Sequence, residues 1–375
     1  IRNNVRALFM QATGNKGEFA HLRAYLITKL MWNPNVNPNA IIYDFLDGYY
    51  GKAAIPILNY IESMREALLN NNFRLNIFGD PRDAVKNYLA SDKMIHYNLL
   101  FDKAEKAVSD DEQKLTRVKE ARLPILIAEI QIAGQIPVGQ KGSFYTINDN
   151  GNVIPKPYMK KKVEEFVASA KKAGIQRIGE RAITIDDYAE NFKRMFKKME
   201  EMDQAISFKK NIIAISEPTF GKANLARLTD GVFGAFESWR FPDKDANWVA
   251  YKGKHMDFIL DLGAVMPIKS IEIDFLNVQA QANWHQLILP KFVTYAISPD
   301  GVKYSDPIQI YNPHNPNPAE NPDIIKLPFL TFKTTYNNTK GRYLRVHAES
   351  ELKMPSWHIN AGKPAIIYAD EIVVK

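Results

Sequence analysis

The 375-residue chain contains no cysteine. That absence excludes a disulfide framework and every thiolate metal site. It leaves the compartment open, because exported and cytosolic chains alike do without cysteine. No apolar run reaches the roughly 20 residues that span a bilayer, so no transmembrane segment is expected. A Gly-rich phosphate loop, zinc-ligand spacing, a recognition-helix signature and a nucleophile elbow are also missing, and no internal repeat is present. The chain starts at Ile1 without initiator Met or leader, and is read as a mature form or a piece of a longer protein.

What is present begins with charge. The formal net charge is +7, and much of the lysine excess lies in "KPYMKKKVEEFVASAKKAG" and "NFKRMFKKMEEMD". There Lys alternates with Glu at helical spacing, the pattern of a solvated helix face, so no nucleic-acid partner is expected. The length implies two or three domains.

Residues 5–11, "VRALFMQ", read as a buried strand, and "GEFAHLRAYLITKLMW" follows as a helix with Phe19, Leu22, Tyr25, Leu26 and Leu30 on one face. "NPNVNPN" breaks it. This opening strand and helix cannot bury a core alone and look like the end of a β/α domain that continues upstream. A helical region comes next, in "NAIIYDFLDGYY", "AAIPILNYIESMREALLNN" and "PRDAVKNYLASDKMIHYNLLFDKAEKAV". Ser109 with Glu112 makes a capping box for "DEQKLTRVKEARLPILIAEIQI". "SFYTINDNGNVIPK" predicts a hairpin turning at Asn150-Gly151, and helices are expected over about 157–173 and 185–205, the second started by Thr184 or Asp186.

The pattern changes near residue 208, where short alternating strands begin. In "KSIEIDFL", Ile271, Ile273 and Phe275 point one way and Glu272 and Asp274 the other; "GRYLRVHA" sets Leu344 and Val346 against Tyr343, Arg345 and His347. Seven or eight such strands read as an antiparallel β-sandwich. "YNPHNPNPAENPD" is a Pro/Asn loop within it.

At this point "ANLARLTDGVFG…SW", "FILDLGAVMPIKSIEIDFL", "PKFVTYAISPDGVKY", "GRYLRVHAES" and "ADEIVV" together resemble the discoidin or coagulation-factor type C domain, in the version appended to bacterial hexosaminidases and related carbohydrate-active proteins. The likeness covers about residues 208–375 and implies a galactose-binding-like jelly roll. "GEFAHLRAYLITKLMWNP" and "VKEARLPILIAEIQ" resemble the C-terminal part of a large uncharacterised family of exported bacterial proteins with glycoside-hydrolase-like barrels. That resemblance implies that most of the barrel lies upstream of Ile1. The expected fold is multidomain α+β: residues 1–50 the end of a β/α barrel, 51–207 mostly helical with the hairpin near 143–156, and 208–375 the β-sandwich.

Four of the five tryptophans fall in the sandwich region: Trp239, Trp248, Trp284 and Trp357. An indole offers a flat apolar face matching the C–H face of a pyranose, and Arg, His or Asn beside it can bond sugar hydroxyls. The candidate carbohydrate-binding residues are therefore Trp239, Arg240, Trp284, His285, Trp357, His358 and Asn360. The competing reading makes each tryptophan a plug at a sandwich end, and Trp248 is expected to be the most structural. Trp32, in "WNP", is expected to pack at its helix end.

"LTDG" at 228–231 and Asp370-Glu371 match the positions that hold structural calcium in discoidin-type sugar-binding modules. The resemblance implies side-chain ligands from Asp230 and Glu371 and carbonyls from Arg227 and Asp370, with Val232 replacing the Asn often found after "DG". The alternative is an Asp capping its own turn and a Glu in a salt bridge. Asp44 and Asp47 share a helix face, and Glu129 lies in "AEIQ", but nothing sets any of them across a substrate as a glycosidase pair requires. The chain is thus expected to be a non-catalytic, monomeric, exported carbohydrate-binding portion of a glycan-processing protein. Two alternatives stay open: part of a hydrolase whose carboxylates lie upstream, or a purely structural sandwich.

Overall fold

The computed structural model describes residues 18–70, 73–76, 79–179, 183–202, 205–219, 225–234, 247–277 and 286–375. The expected strand over residues 5–11 lies outside them. The chain forms two compact units, residues 1–136 with 157–176, and residues 137–156 with 177–375. The division differs from the composition change at 208, since the hairpin and the helix after residue 184 group with the sandwich.

The first unit is helical. Its elements are α1 (Ala20–Trp32), α2 (Pro38–Tyr50), α3 (Ala54–Asn70), α4 (Ser91–Ala107), α5 (Glu112–Gln135) and α6 (Pro157–Lys172). Their apolar faces meet in a core built around Leu46, Ile57, Tyr60, Tyr97, Phe101 and Val118. No β/α barrel segment is seen among the described residues; residues 20–50 are helix apart from the short break at 33–37. The capping of α5 differs from expectation. Asp111 is its N-cap, accepting from the Lys114 N–H at 3.0 Å, while the Ser109 hydroxyl turns back to the Lys106 carbonyl. Asp111 lies two residues closer to the helix, where its carboxylate also meets the positive end of the helix dipole. Trp32 does not pack at its helix end but is 92% exposed.

The second unit begins with the hairpin β1 (Tyr145–Ile147) and β2 (Val153–Pro155), turning through Gly151 at φ 84°. Helix α7 (Ile185–Glu201) follows, capped by Thr184 in a box with Asp187. Then come β3 (Asn211–Ala214), β4 (Val249–Lys252), β5 (Met256–Leu276), β6 (Phe292–Ser298), β7 (Ile308–Tyr311), β8 (Phe329–Glu349) and β9 (Ile366–Val374). All pair antiparallel.

Strands β5 and β8, each 21 residues, belong to two layers at once. Their register slips between Asp261 and Met266 and again between Ile268 and Ser270, which bends both strands. The first layer holds β3, the start of β5, the end of β8, β6 and β7. The second holds β4, β9, the end of β5 and the start of β8. One hydrogen bond proves the folding-over. Tyr295 on β6 pairs with Val346, yet its hydroxyl donates to the Phe332 carbonyl at 2.7 Å. Along a straight strand those two β8 residues would be about 46 Å apart.

Between the layers lie Phe258, Leu260, Ile271, Ile273, Phe275, Val293, Leu344, Val346, Ile367 and Ile372, the faces expected from the alternation. Each fully buried aliphatic or Phe side chain contributes about 1.5–3 kcal/mol. The opposite face of "KSIEIDFL" is not simply solvated, for α7 covers it. Arg194 pairs with Asp274, and Lys198 lies 2.9 Å from Glu272.

Candidate functional site

Strand β9 carries the first feature. Ile273 faces Ile372 and Phe275 faces Ala369, so Asp274 alone stands opposite two residues, Asp370 and Glu371. This is a β-bulge, and it turns two consecutive carboxylates away from the core that Ala369 and Ile372 enter. Both reach the loop after Leu228. Glu371 Oε1 accepts from the Gly231 N–H, and Asp370 Oδ2 accepts from the Gly234 N–H at 2.8 Å. Asp230 Oδ1 accepts from the Val232 N–H at 2.9 Å, closing an Asx turn.

The loop has no slack. Gly231 sits at φ 81° against the Phe208 ring, and a Cβ on Gly234 would lie 2.5 Å from the Trp248 indole. Trp248 in turn stacks on Phe329 at 5.7 Å and is 2% exposed.

The electrostatics of this corner are unbalanced. Asp370 and Glu371 are buried, and Asp370 Oδ1 and Glu371 Oε2 have no hydrogen-bond partner among the described residues. Burial pushes both carboxyls well up, reinforced at Glu371 by the charge of Asp230 and at Asp370 by that of Asp274. Asp230 is pushed up to about 7, by burial first, against the pull of the Val232 N–H and Arg227. Three clustered carboxyls that cannot all be ionised must either hold protons or meet a cation. Orphaned, buried carboxylate oxygens beside a tight loop are the donor set of a hard, oxygen-seeking ion. The residues therefore fit calcium. Asp370 contributes its side chain to the corner, which motif reasoning gave only a carbonyl role. Arg227 lies in the 3-10 turn Leu225–Leu228 just before the loop.

The second feature is the loop before β9. It closes at the Lys353–Pro364 bridge, with the Met354 N–H bonded to the Lys363 carbonyl at 2.8 Å and the Gly362 N–H to the Met354 carbonyl at 2.9 Å. Met354, Ile288 and Ala365 form a small apolar anchor beneath it. On this frame Trp357 is 36% exposed, with the His358 ring at 5.6 Å and 74° to it. His358 Nδ1 accepts from the Asn360 N–H at 3.0 Å, and partial burial lowers its pKa. Asn360 Oδ1 accepts from Lys363. Trp239, Arg240, Trp284 and His285 lie outside the described residues.

The carboxylates of the helical unit are engaged structurally. Asp44 accepts from the Tyr25 hydroxyl at 2.6 Å; Glu129 accepts from Asn98 at 2.6 Å and pairs with Lys162.

Three comparisons bear on this chain. A family profile described as "Domain of unknown function (DUF4838)" matches residues 1–62. No curated protein matches. Among solved structures, the chain is similar to "CpGH89CBM32-6 produced by Clostridium perfringens", at 14% identity over 46% of this chain and 98% of that one, TM-score 0.28. It is similar to a Streptococcus pneumoniae fucose binding module, SpX-3, at 15% identity over 46% and 97%, TM-score 0.29. It is also similar to chitosan-binding module 1 of a chitosanase/glucanase from Paenibacillus sp. IK-5, at 14% identity over 46% and 98%, TM-score 0.28. No helix among the described residues is long and apolar enough to cross a membrane.

Proposed function

We propose that the second unit is a galactose-binding-like, discoidin-type module that binds carbohydrate through the loop carrying Trp357, His358 and Asn360. The observation that carries this reading is the exposure of Trp357 on a loop pinned by its own backbone bonds. An indole face held in place costs little conformational entropy when a sugar ring stacks on it. His358 and Asn360 stand within three residues of it, able to bond hydroxyls. Trp239, Arg240, Trp284 and His285 are the further candidates for the same rim. The five ordered motifs described above support the same module.

In this reading Asp230, Asp370 and Glu371 hold a structural calcium, with backbone carbonyls such as that of Arg227 completing its shell. A bound cation would neutralise the corner and tie β9 to the loop after Leu228. The chain is the non-catalytic portion of an exported glycan-processing protein, acting as a monomer, with any hydrolytic carboxylates upstream. The structural engagement of Asp44 and Glu129 agrees with that.

The test is glycan-array binding by the full chain, followed by Trp357→Ala. Loss of a stacking indole should cost about 1–3 kcal/mol of binding while the melting temperature barely moves. Absence of any glycan binding by wild-type protein, or a Trp357→Ala variant that binds normally, would sink the proposal.

A further inference from the structure

On the outer face of the first layer, a second group of ligand-type side chains converges, His347 and Glu349 of it within "GRYLRVHAES". Met256, Phe258, Val346 and Ala348 point into the core, so their neighbours His255, Asp257, His347 and Glu349 point out. The pairing of Asp257 with His347 sets side by side two positions 90 residues apart in the chain. His347 Nε2 lies 3.1 Å from Glu349 Oε2, and His255 Nδ1 lies 3.3 Å from the same oxygen.

Each ring also has a second partner that orients it. His347 Nδ1 faces Asp257 Oδ2 at 3.4 Å, and Asp257 is itself clamped by Arg345 through bonds of 3.1 and 2.7 Å. With its proton on Nδ1 towards that carboxylate, the ring directs its Nε2 lone pair at Glu349, which is the tautomer a metal would select. The Ser350 N–H donates to His255 Nδ1 at 3.2 Å, a long bond that a metal on that nitrogen would replace.

We propose that His255, His347 and Glu349 form a binding site for a divalent transition-metal ion of the zinc class. Two imidazoles and one carboxylate are a ligand set zinc takes with a fourth position left to water. Tetrahedral bonds of 2.0–2.1 Å would place ligand atoms about 3.3 Å apart, close to the two spacings to Glu349 Oε2, and all three ligand atoms lie within 4.8 Å of one another. The Asp257–His347 pair supplies the outer carboxylate that orients a metal-bound histidine. Each of the three side chains is about one-third exposed or less, at 34%, 26% and 29%, so an ion can enter without unfolding the sheet.

The experiment uses the full chain, stripped with chelator, dialysed, and titrated with zinc chloride alone by calorimetry, with metal content measured after gel filtration. One equivalent should bind and be lost in both His347→Ala and His255→Ala. Cobalt in place of zinc should give the intense visible bands of a tetrahedral complex in wild type only. Asp257→Asn should weaken binding by about 10–100-fold, whereas Asp230→Ala should leave it intact. If His347→Ala does not fold, His255→Ala decides alone. No zinc bound by wild type, or an unchanged equivalent in His255→Ala, overturns the proposal and leaves the cluster as a set of ion pairs.

Discussion

Trp248 and Trp357 show how differently two regions of the β unit treat the same side chain. Around Trp248 everything is enclosed: the indole fills the gap left by Gly234, stacks on Phe329, and stands behind a loop bonded to two buried carboxylates. Around Trp357 the backbone is equally tied, but the side chain stands out from it. Rigidity is common to both; burial is not. The first region uses an aromatic ring to complete a core. The second holds one in position while leaving part of it exposed to solvent.

The largest effect expected from this contrast is on folding. Trp248→Ala should lower the unfolding free energy by about 3–5 kcal/mol, the cost of emptying a large buried site, whereas Trp357→Ala should lower it by less than ~0.5 kcal/mol, as at an exposed position. Urea titration of both variants checks this, and equal losses would break the comparison. Arg194→Ala comes next. It strips the buried Asp274 of its guanidinium and should cost about 3 kcal/mol, the low end for a broken buried pair, because Lys198 at 3.5 Å and the Thr331 hydroxyl remain. The same titration reads it.

A smaller effect concerns the carboxylate corner. Calcium at a hundred times its dissociation constant should stabilise the fold by about 2.7 kcal/mol, and Asp230→Ala should abolish the gain. A melting temperature indifferent to both calcium and chelator would remove the ion from the proposal.

A further effect is a slope with pH. Asp230 holds its proton to about 7 in the fold but releases it near 3.8 when unfolded. Between those values the folded form binds more protons, so without calcium stability should fall as pH rises from about 4 to about 7. With calcium the carboxylates are wanted ionised, and the slope should flatten or reverse. Denaturation across that range, with and without the ion, checks the sign.

Much of this architecture was legible in the sequence because it follows from local periodicity. The alternation at Ile271, Ile273 and Phe275 and at Leu344 and Val346 named the core faces, and Asn150-Gly151 named the hairpin turn. Helices α6 and α7 begin where their apolar spacing and the Thr184 cap place them. The cap of α5 was misread because Ser109 and Asp111 both offer an oxygen, and only the observed backbone decides between them.

What the sequence determined by itself, then, is which residues form strands and helices and which face of each is apolar, since side-chain direction repeats every 2 or 3.6 residues. What only the tertiary structure decided depends on residues distant in the chain. The bulge at Asp370-Glu371 exists because β5 has one residue where β9 has two. The meeting of His255 with His347 and Glu349 exists because β5 and β8 pair in one register. A strand's own sequence states what it carries but not what stands opposite, because register is set by the packing of the whole core.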